Sequence, residues 1–354
     1  ELFHQKMEES VLKSSRFIRG VGAVLFTASI TFAANLAQAD TLRWLTWKTE
    51  SSGDAQTANI KWFVSEFEKR VKGKHKVQIM WGGSAAAQRE IPDAISNGVG
   101  QIGEIVLPYY MNKFVINNAV GYFTPQPMGP AELGELMSKW HDNYPQFEAE
   151  MAKYNLKAIG FRPLEKYGIL CKEPIRTVED FKGRKIRTYG SAYPALVKAL
   201  GGIPVGISTT ETYQALERGI LDCTPTSLTY VRGFKFEEVA KYFTDVPFGA
   251  NYGHFIVMNL DYYKSMDAAS RQIIDELGRQ NASNFVEQVD PIVAKLKAEW
   301  ASDPNGVKVI DFPQDAFKEA VKDPAIQKLR NDWVEKAKAA GLPGEEIADM
   351  MAFK

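Results

Sequence analysis

The sequence predicts an α/β protein of two units joined by several chain crossings, and three observations carry that prediction. Strands alternate with amphipathic helices along most of the chain, which is the pattern of an α/β fold. One extended stretch, 156–172, is too long for an ordinary strand and reads as a passage from one unit to the other. A length of 354 residues suits about two domains, and no low-complexity linker marks a single hinge between them.

The elements follow in order. Lys13, Arg16 and Arg19 precede an apolar run, Gly20 to Ala34, and an Ala37-Gln38-Ala39 cleavage site, so residues 1–39 read as a secretory leader removed before Asp40. The alternative, a membrane anchor, is disfavoured because the run falls short of the roughly 20 residues a bilayer needs. A strand over 41–48 leads to a helix over 55–72, in which Ile60, Phe63, Val64, Phe67 and Val71 recur at helical spacing. A second strand covers 76–81, a helix 88–96 and a third strand 103–107. Gly98, Gly100 and Gly103 spell G-x-G-x-x-G, the dinucleotide fingerprint, but they follow a helix and precede a strand. That order is the reverse of the one the fingerprint needs, and Gly98 reads instead as a helix C-cap with positive φ.

Helical sequence runs from Pro130 to about Tyr154, broken near Pro145, and the crossing at 156–172 follows. Strands over 185–189, 203–207 and 221–224 alternate with helices begun at Ser191 and at Ser208, the latter a capping box closed by Glu211. A strand over 255–259, a long helix over 267–300 with Pro291 inside it, a short strand over 307–310 and a helical tail complete the chain.

Composition narrows the function. With 43 basic and 43 acidic side chains the chain carries no net charge, which argues against a nucleic-acid binder. Beyond the leader the histidines are His75, His141 and His254, and none falls in a metal or catalytic motif; no nucleophile elbow or phosphate loop occurs either. Neither cofactor, metal nor catalysis is expected. Cys171 and Cys223 read as two buried free thiols, since a chain this long needs no staple, although export permits a disulfide. Arg187, on a strand that runs into a helix start, has the planar fork that matches a carboxylate; the competing reading is a structural ion pair.

Three stretches carry a family resemblance: Phe181-Lys-Gly-Arg-Lys-Ile-Arg187, Ala195-Leu-Val-Lys-Ala-Leu-Gly-Gly-Ile-Pro-Val205, and Thr212-Tyr-Gln-Ala-Leu-Glu-Arg-Gly-Ile-Leu-Asp222. Together with the segment Arg89 to Ile105, they resemble the substrate-binding proteins of TRAP transporters. The resemblance implies a periplasmic, monomeric Venus-flytrap receptor of two α/β domains with a long helix spanning both. Domain I would comprise 40–163 plus 252–290, and domain II 164–251 plus 291–354. The receptor would capture a small organic acid and deliver it to the small and large permease subunits in the membrane. The binding protein of an ATP-driven importer and a secreted enzyme are the rival readings.

The resemblance also assigns residues. Arg187 takes the position that binds the ligand carboxylate. A second family position, often Arg, falls at Lys166; a frequent Asn falls at Thr226; an aromatic position falls at Thr209. From the other domain Trp47, Trp81, Tyr109 and Tyr110 follow the carboxyl ends of strands, where open α/β sheets bind ligands, so they are candidates for the opposite wall; each also reads as a core aromatic. They hint at a monocarboxylate with an apolar or aromatic body.

Overall fold

The computed structural model describes residues 40–123, 125, 128–250, 253–320 and 322–351; the leader lies outside them. From residue 39 onward the chain packs as one compact unit holding two mixed sheets. The first sheet has the order β2-β1-β3-β10-β4, with β1 Asp40–Leu45, β2 His75–Met80, β3 Ile102–Val106, β4 Leu156–Pro163 and β10 Gly253–Asn259. The second has the order β11-β9-β5-β8-β6-β7, with β5 Lys166–Cys171, β6 Lys185–Thr188, β7 Ile203–Gly206, β8 Cys223–Thr226, β9 Tyr242–Ala250 and β11 Lys308–Ile310.

The stretch 156–172 is a crossing, as its length predicted: β4 belongs to the first sheet and β5 to the second. A second crossing, from β9 to β10, runs back beside it. Gly253 pairs with Pro163 in one sheet and Lys166 with Ala250 in the other, so two antiparallel strands pass between the sheets side by side. Among the described strands, β10 alone runs against its sheet and β5 alone against the other. Each is the strand entered just after a crossing.

Helices cover the sheets. On one face of the first sheet lie α1 (Ala55–Arg70) and the front half of α10 (Ala268–Ser302), burying Ile60, Phe63, Phe67, Ile274 and Leu277 against Leu42, Trp44 and Ile256. Asp54 starts α1 by accepting the Thr57 N–H. The other face carries α2 (Ile91–Ser96), α3 (Ala119–Tyr122), α4 (Pro130–Asn143) and α5 (Pro145–Ala152); Pro145 breaks the helical stretch as predicted. Gly98, past the end of α2, has φ 75°, the left-handed conformation expected of it, and Gly103 lies within β3, so no phosphate loop forms.

Around the second sheet stand α6 (Ala192–Ala199), α7 (Thr212–Glu217) and α8 (Leu228–Gly233); α9 (Leu260–Ser265) links β10 to α10. The back half of α10 places Leu296 and Trp300 in the core of the second sheet, so the long helix packs on both sheets. The tail forms α11 (Gln314–Ala320), α12 (Pro324–Ala339) and α13 (Gly344–Met350). It is less one-sided than the expected domain II: α12 packs on α6, yet Trp333 donates to the Val115 carbonyl and Lys336 to the Tyr122 hydroxyl, on the side of the first sheet.

The cysteine expectation is corrected. Cys171 and Cys223 form a disulfide, because the antiparallel register of β5 and β8 sets them directly opposite, with Cα atoms 4.1 Å apart. Register between strands some fifty residues apart is not visible in composition or length, which were the grounds for expecting thiols.

Candidate functional site

Both sheets turn the same edge toward one another. In the first sheet it is the carboxyl ends of β1, β3 and β4 and the amino end of the reversed strand β10; in the second, the carboxyl ends of β6, β7 and β8 and the amino end of β5. Ligands of open α/β sheets lie beyond the carboxyl ends of strands, and here two such edges meet.

Arg187 stands at this meeting. Its side chain leaves β6 and is 2% exposed. Nε donates to the Ile207 carbonyl (3.1 Å), and Nη2 donates to Thr209 Oγ1 (2.9 Å) and to the Tyr109 hydroxyl (3.1 Å). The guanidinium also lies over the Tyr189 ring, 4.6 Å from its centroid. Tyr109 comes from the turn after β3, in the opposite unit. Its hydroxyl additionally accepts the Thr209 N–H (3.1 Å) and shares a hydrogen bond with Thr209 Oγ1 (3.2 Å). Three residues of the expected site therefore form one cluster across the two units. The approach is close enough to require glycine at 190: φ is 63°, and a Cβ there would sit 3.1 Å from Pro108 of the opposite unit.

The remaining expected residues are placed differently. Thr226, buried at the end of β8, adjoins Ser227, the N-cap of α8. Trp47 is buried edge-on to His254, 5.4 Å away, on the inward edge of the first sheet. Tyr110 donates its hydroxyl to the Arg89 carbonyl (2.9 Å) and packs on Phe114, which makes it a brace for its own turn. Trp81 lies under Lys61 of α1 and is not brought to Arg187. Lys166, the first residue of β5, is exposed, while its neighbours Glu165 and Tyr167 are buried.

The second buried guanidinium is Arg162, at the end of β4, which the sequence reading did not single out. It is 0% exposed and ion-paired with Glu104 of β3, also 0% exposed. It donates further to Asn59 Oδ1 (3.2 Å) and His254 Nδ1 (3.3 Å). Burial, with Arg162 and Lys48 adding repulsion, holds His254 well below its usual range, so the ring is neutral and Nδ1 accepts. Beside this pair, Lys48 donates to Asp54 (3.1 Å), both again buried, and its ammonium lies 3.9 Å from the Tyr230 ring of α8. Gln56 Oε1 receives the Tyr230 hydroxyl and Arg162, closing a second bridge between the units. Glu165 sits on the crossing between β4 and β5. Burial pushes its carboxyl up to about 7, against the pull of the Thr229 and Ser227 hydroxyls. A signal for Arg162 and Glu104 did exist: each is a charge inside an apolar strand, in GFRPL and IGEIV.

The family model described as bacterial extracellular solute-binding protein, family 7, matches residues 48–332. The chain belongs to this family. The family-7 chain is similar to the ectoine-binding periplasmic protein TeaA of Halomonas elongata, 24% identical over 315 residues that cover 86% of this chain and 88% of that protein. Its fold matches DctP7 of Bordetella pertussis, an extracytoplasmic solute receptor binding pyroglutamic acid, with TM-score 0.72, 20% identity and coverage of 88% and 99%. It also matches a TRAP periplasmic solute-binding protein of Bordetella bronchiseptica with bound (R)- and (S)-mandelate, with TM-score 0.74, 19% identity and coverage of 87% and 96%. This family-7 protein is thus a member of a solute-binding protein family, with the two-domain periplasmic binding-protein fold that the sequence resemblance implied. No helix among the described residues is long and apolar enough to cross a membrane.

Proposed function

We propose that the protein captures a small organic acid anion, with an apolar or aromatic body, in the periplasm and hands it to the small and large permease subunits of a TRAP transporter. The lobes divide at the two strand crossings, as 40–163 plus 252–290 and 164–251 plus 291–354, with the tail helices lying across both. Arg187 grips the solute carboxylate, and the lobes close on it. The observation that carries this reading is the position of Arg187: a buried guanidinium on the carboxyl edge of one sheet, touched by Tyr109 from the other. A planar fork in a desolvated interface suits a carboxylate in charge and shape. Closure then follows because a solute bound between the lobes favours the closed state over the open one.

The experiment is a thermal-shift screen of organic acids followed by calorimetry on the hits, with wild type and Arg187→Ala. The substitution is expected to weaken binding by about 2–5 kcal/mol, the range for removing one partner of a buried charge pair. Unchanged affinity would remove Arg187 from the site and with it this function for the cleft.

A further inference from the structure

We infer that Glu104 is a specificity determinant: an internal carboxylate that neutralises Arg162 in advance and so restricts the cleft to solutes with a single carboxylate. This rests on the carboxylate capture at Arg187 proposed above and names the class of acid that the same site accepts.

The argument begins with place. Strand β3 is buried along its whole length, so a glutamate in its middle has no water to face and must be satisfied inside the protein. Its partner comes from β4, and between them β10 contributes His254. Arg162 and His254 lie at the inward edge of the first sheet and Glu104 two residues in from it, and Tyr109 reaches Arg187 from the same edge. Tyr109 follows Glu104 by five residues, a span of at most about 18 Å even if fully extended. Gln56, which accepts from Arg162, also accepts from Tyr230 of α8, so the Glu104–Arg162 pair borders the gap between the two sheets as Arg187 does, and a solute anchored on Arg187 can extend toward it.

Charge settles what such a solute meets there. On this edge Lys48 is matched by Asp54 and Arg162 by Glu104, two cations against two carboxylates, all of them buried. The remaining partners of Arg162, namely Asn59, Gln56 and His254, are neutral. A second solute carboxylate would add a third negative charge to a desolvated cluster already in balance, next to Glu104 and Asp54. Like-charge juxtaposition of this kind rejects a ligand more effectively than a missing contact does. An amide or hydroxyl in the same position adds no charge and has donors and acceptors to meet. Glu104 thus occupies the place on Arg162 that the far carboxylate of a diacid would otherwise take.

The test uses pairs of equal shape, each diacid against its own monoamide: succinate with succinamate, glutarate with glutaramate, and phthalate with phthalamate. Calorimetry and thermal shift are run on wild type, Glu104→Gln, the double variant Glu104→Gln with Arg162→Gln, and Arg187→Ala. Wild type is expected to prefer the monoamides at least tenfold. Glu104→Gln frees the charge of Arg162, so the ratio moves at least tenfold toward the diacids, and a diacid raises the melting point of this variant more than that of wild type. The double variant, which folds without a stranded charge, is expected to lose that gain. Diacid and monoamide binding to wild type within threefold of each other, or a ratio unmoved by Glu104→Gln, overturns the inference. Failure of the underlying reading looks different: Arg187→Ala would then leave both members of a pair bound as before.

Discussion

Arg162 and Arg187 are both buried and both sit on inward sheet edges, yet their surroundings differ in kind. Arg162 is ion-paired to Glu104 and braced by Asn59, Gln56 and His254, an arrangement that completes the first lobe. Arg187 donates to a carbonyl, a threonine hydroxyl and a phenol, and the phenol belongs to the other lobe. One guanidinium is held within the first sheet and its helices; the other bonds to groups from both sheets, so under the proposed closure its surroundings change when the lobes separate. Burial alone therefore does not set the two apart; the origin of their partners does.

The largest expected effect follows from that contrast. Arg162→Met strands Glu104 as an unpaired buried carboxylate, which should cost about 3–5 kcal/mol of stability. Arg187→Met leaves oxygens that can turn to one another or to water, and should cost less than half as much while abolishing solute binding. Urea unfolding of the two variants measures this. Equal losses would erase the distinction, and an Arg162→Met variant as stable as wild type would show that Glu104 is held by other means.

The same contrast explains what was legible beforehand. Arg187 lies in a run, FKGRKIR, whose order and spacing resemble a family, and Tyr109 follows a strand whose carboxyl end was correctly located. Arg162 and Glu104 are 58 residues apart and meet across β10, which enters from the far end of the chain and lies between their strands. No local pattern encodes that insertion. For the same reason the Cys171–Cys223 bridge was missed, and β9 was not recognised although it runs over nine residues. The crossing at 156–172, the capping box at Ser208 and the C-cap at Gly98 were all readable because each is decided by residues close in sequence.

A smaller effect is expected at the crossing itself. Glu165 has its carboxyl raised by burial to about 7 from an ordinary 4.5. The folded protein then binds more protons at this position than the unfolded chain between those values. Its contribution to stability is fully present below about pH 4.5 and is lost as pH rises through about 7, up to roughly 3 kcal/mol in all. Glu165→Gln should flatten that part of the profile, so the stability difference between wild type and variant should slope across pH 4.5–7 and level off above. A difference that does not change with pH would mean that Glu165 stays ionised, and the polar cluster around Thr229, Ser227 and Asp54 would have to accommodate a full charge.

The smallest effect belongs to Tyr109, and its sign is informative. The Tyr109 hydroxyl accepts from Arg187 and from the Thr209 backbone, and both of those groups belong to the opposite lobe. Hydrogen bonds of this kind contribute about 0.5–1.5 kcal/mol each, and under the proposed closure these two exist only while the lobes are together. Tyr109→Phe should therefore lower the closed population by about 5- to 150-fold, weaken solute affinity to match and speed release, with the unfolding midpoint shifted little because no buried apolar contact is removed. Stopped-flow release and calorimetry on the same solute measure the two quantities. A tighter complex in Tyr109→Phe would reverse the role of this residue. The phenol would then be a competitor that holds the guanidinium until a carboxylate displaces it, and Arg187 would be guarded by the opposite lobe as well as presented to it.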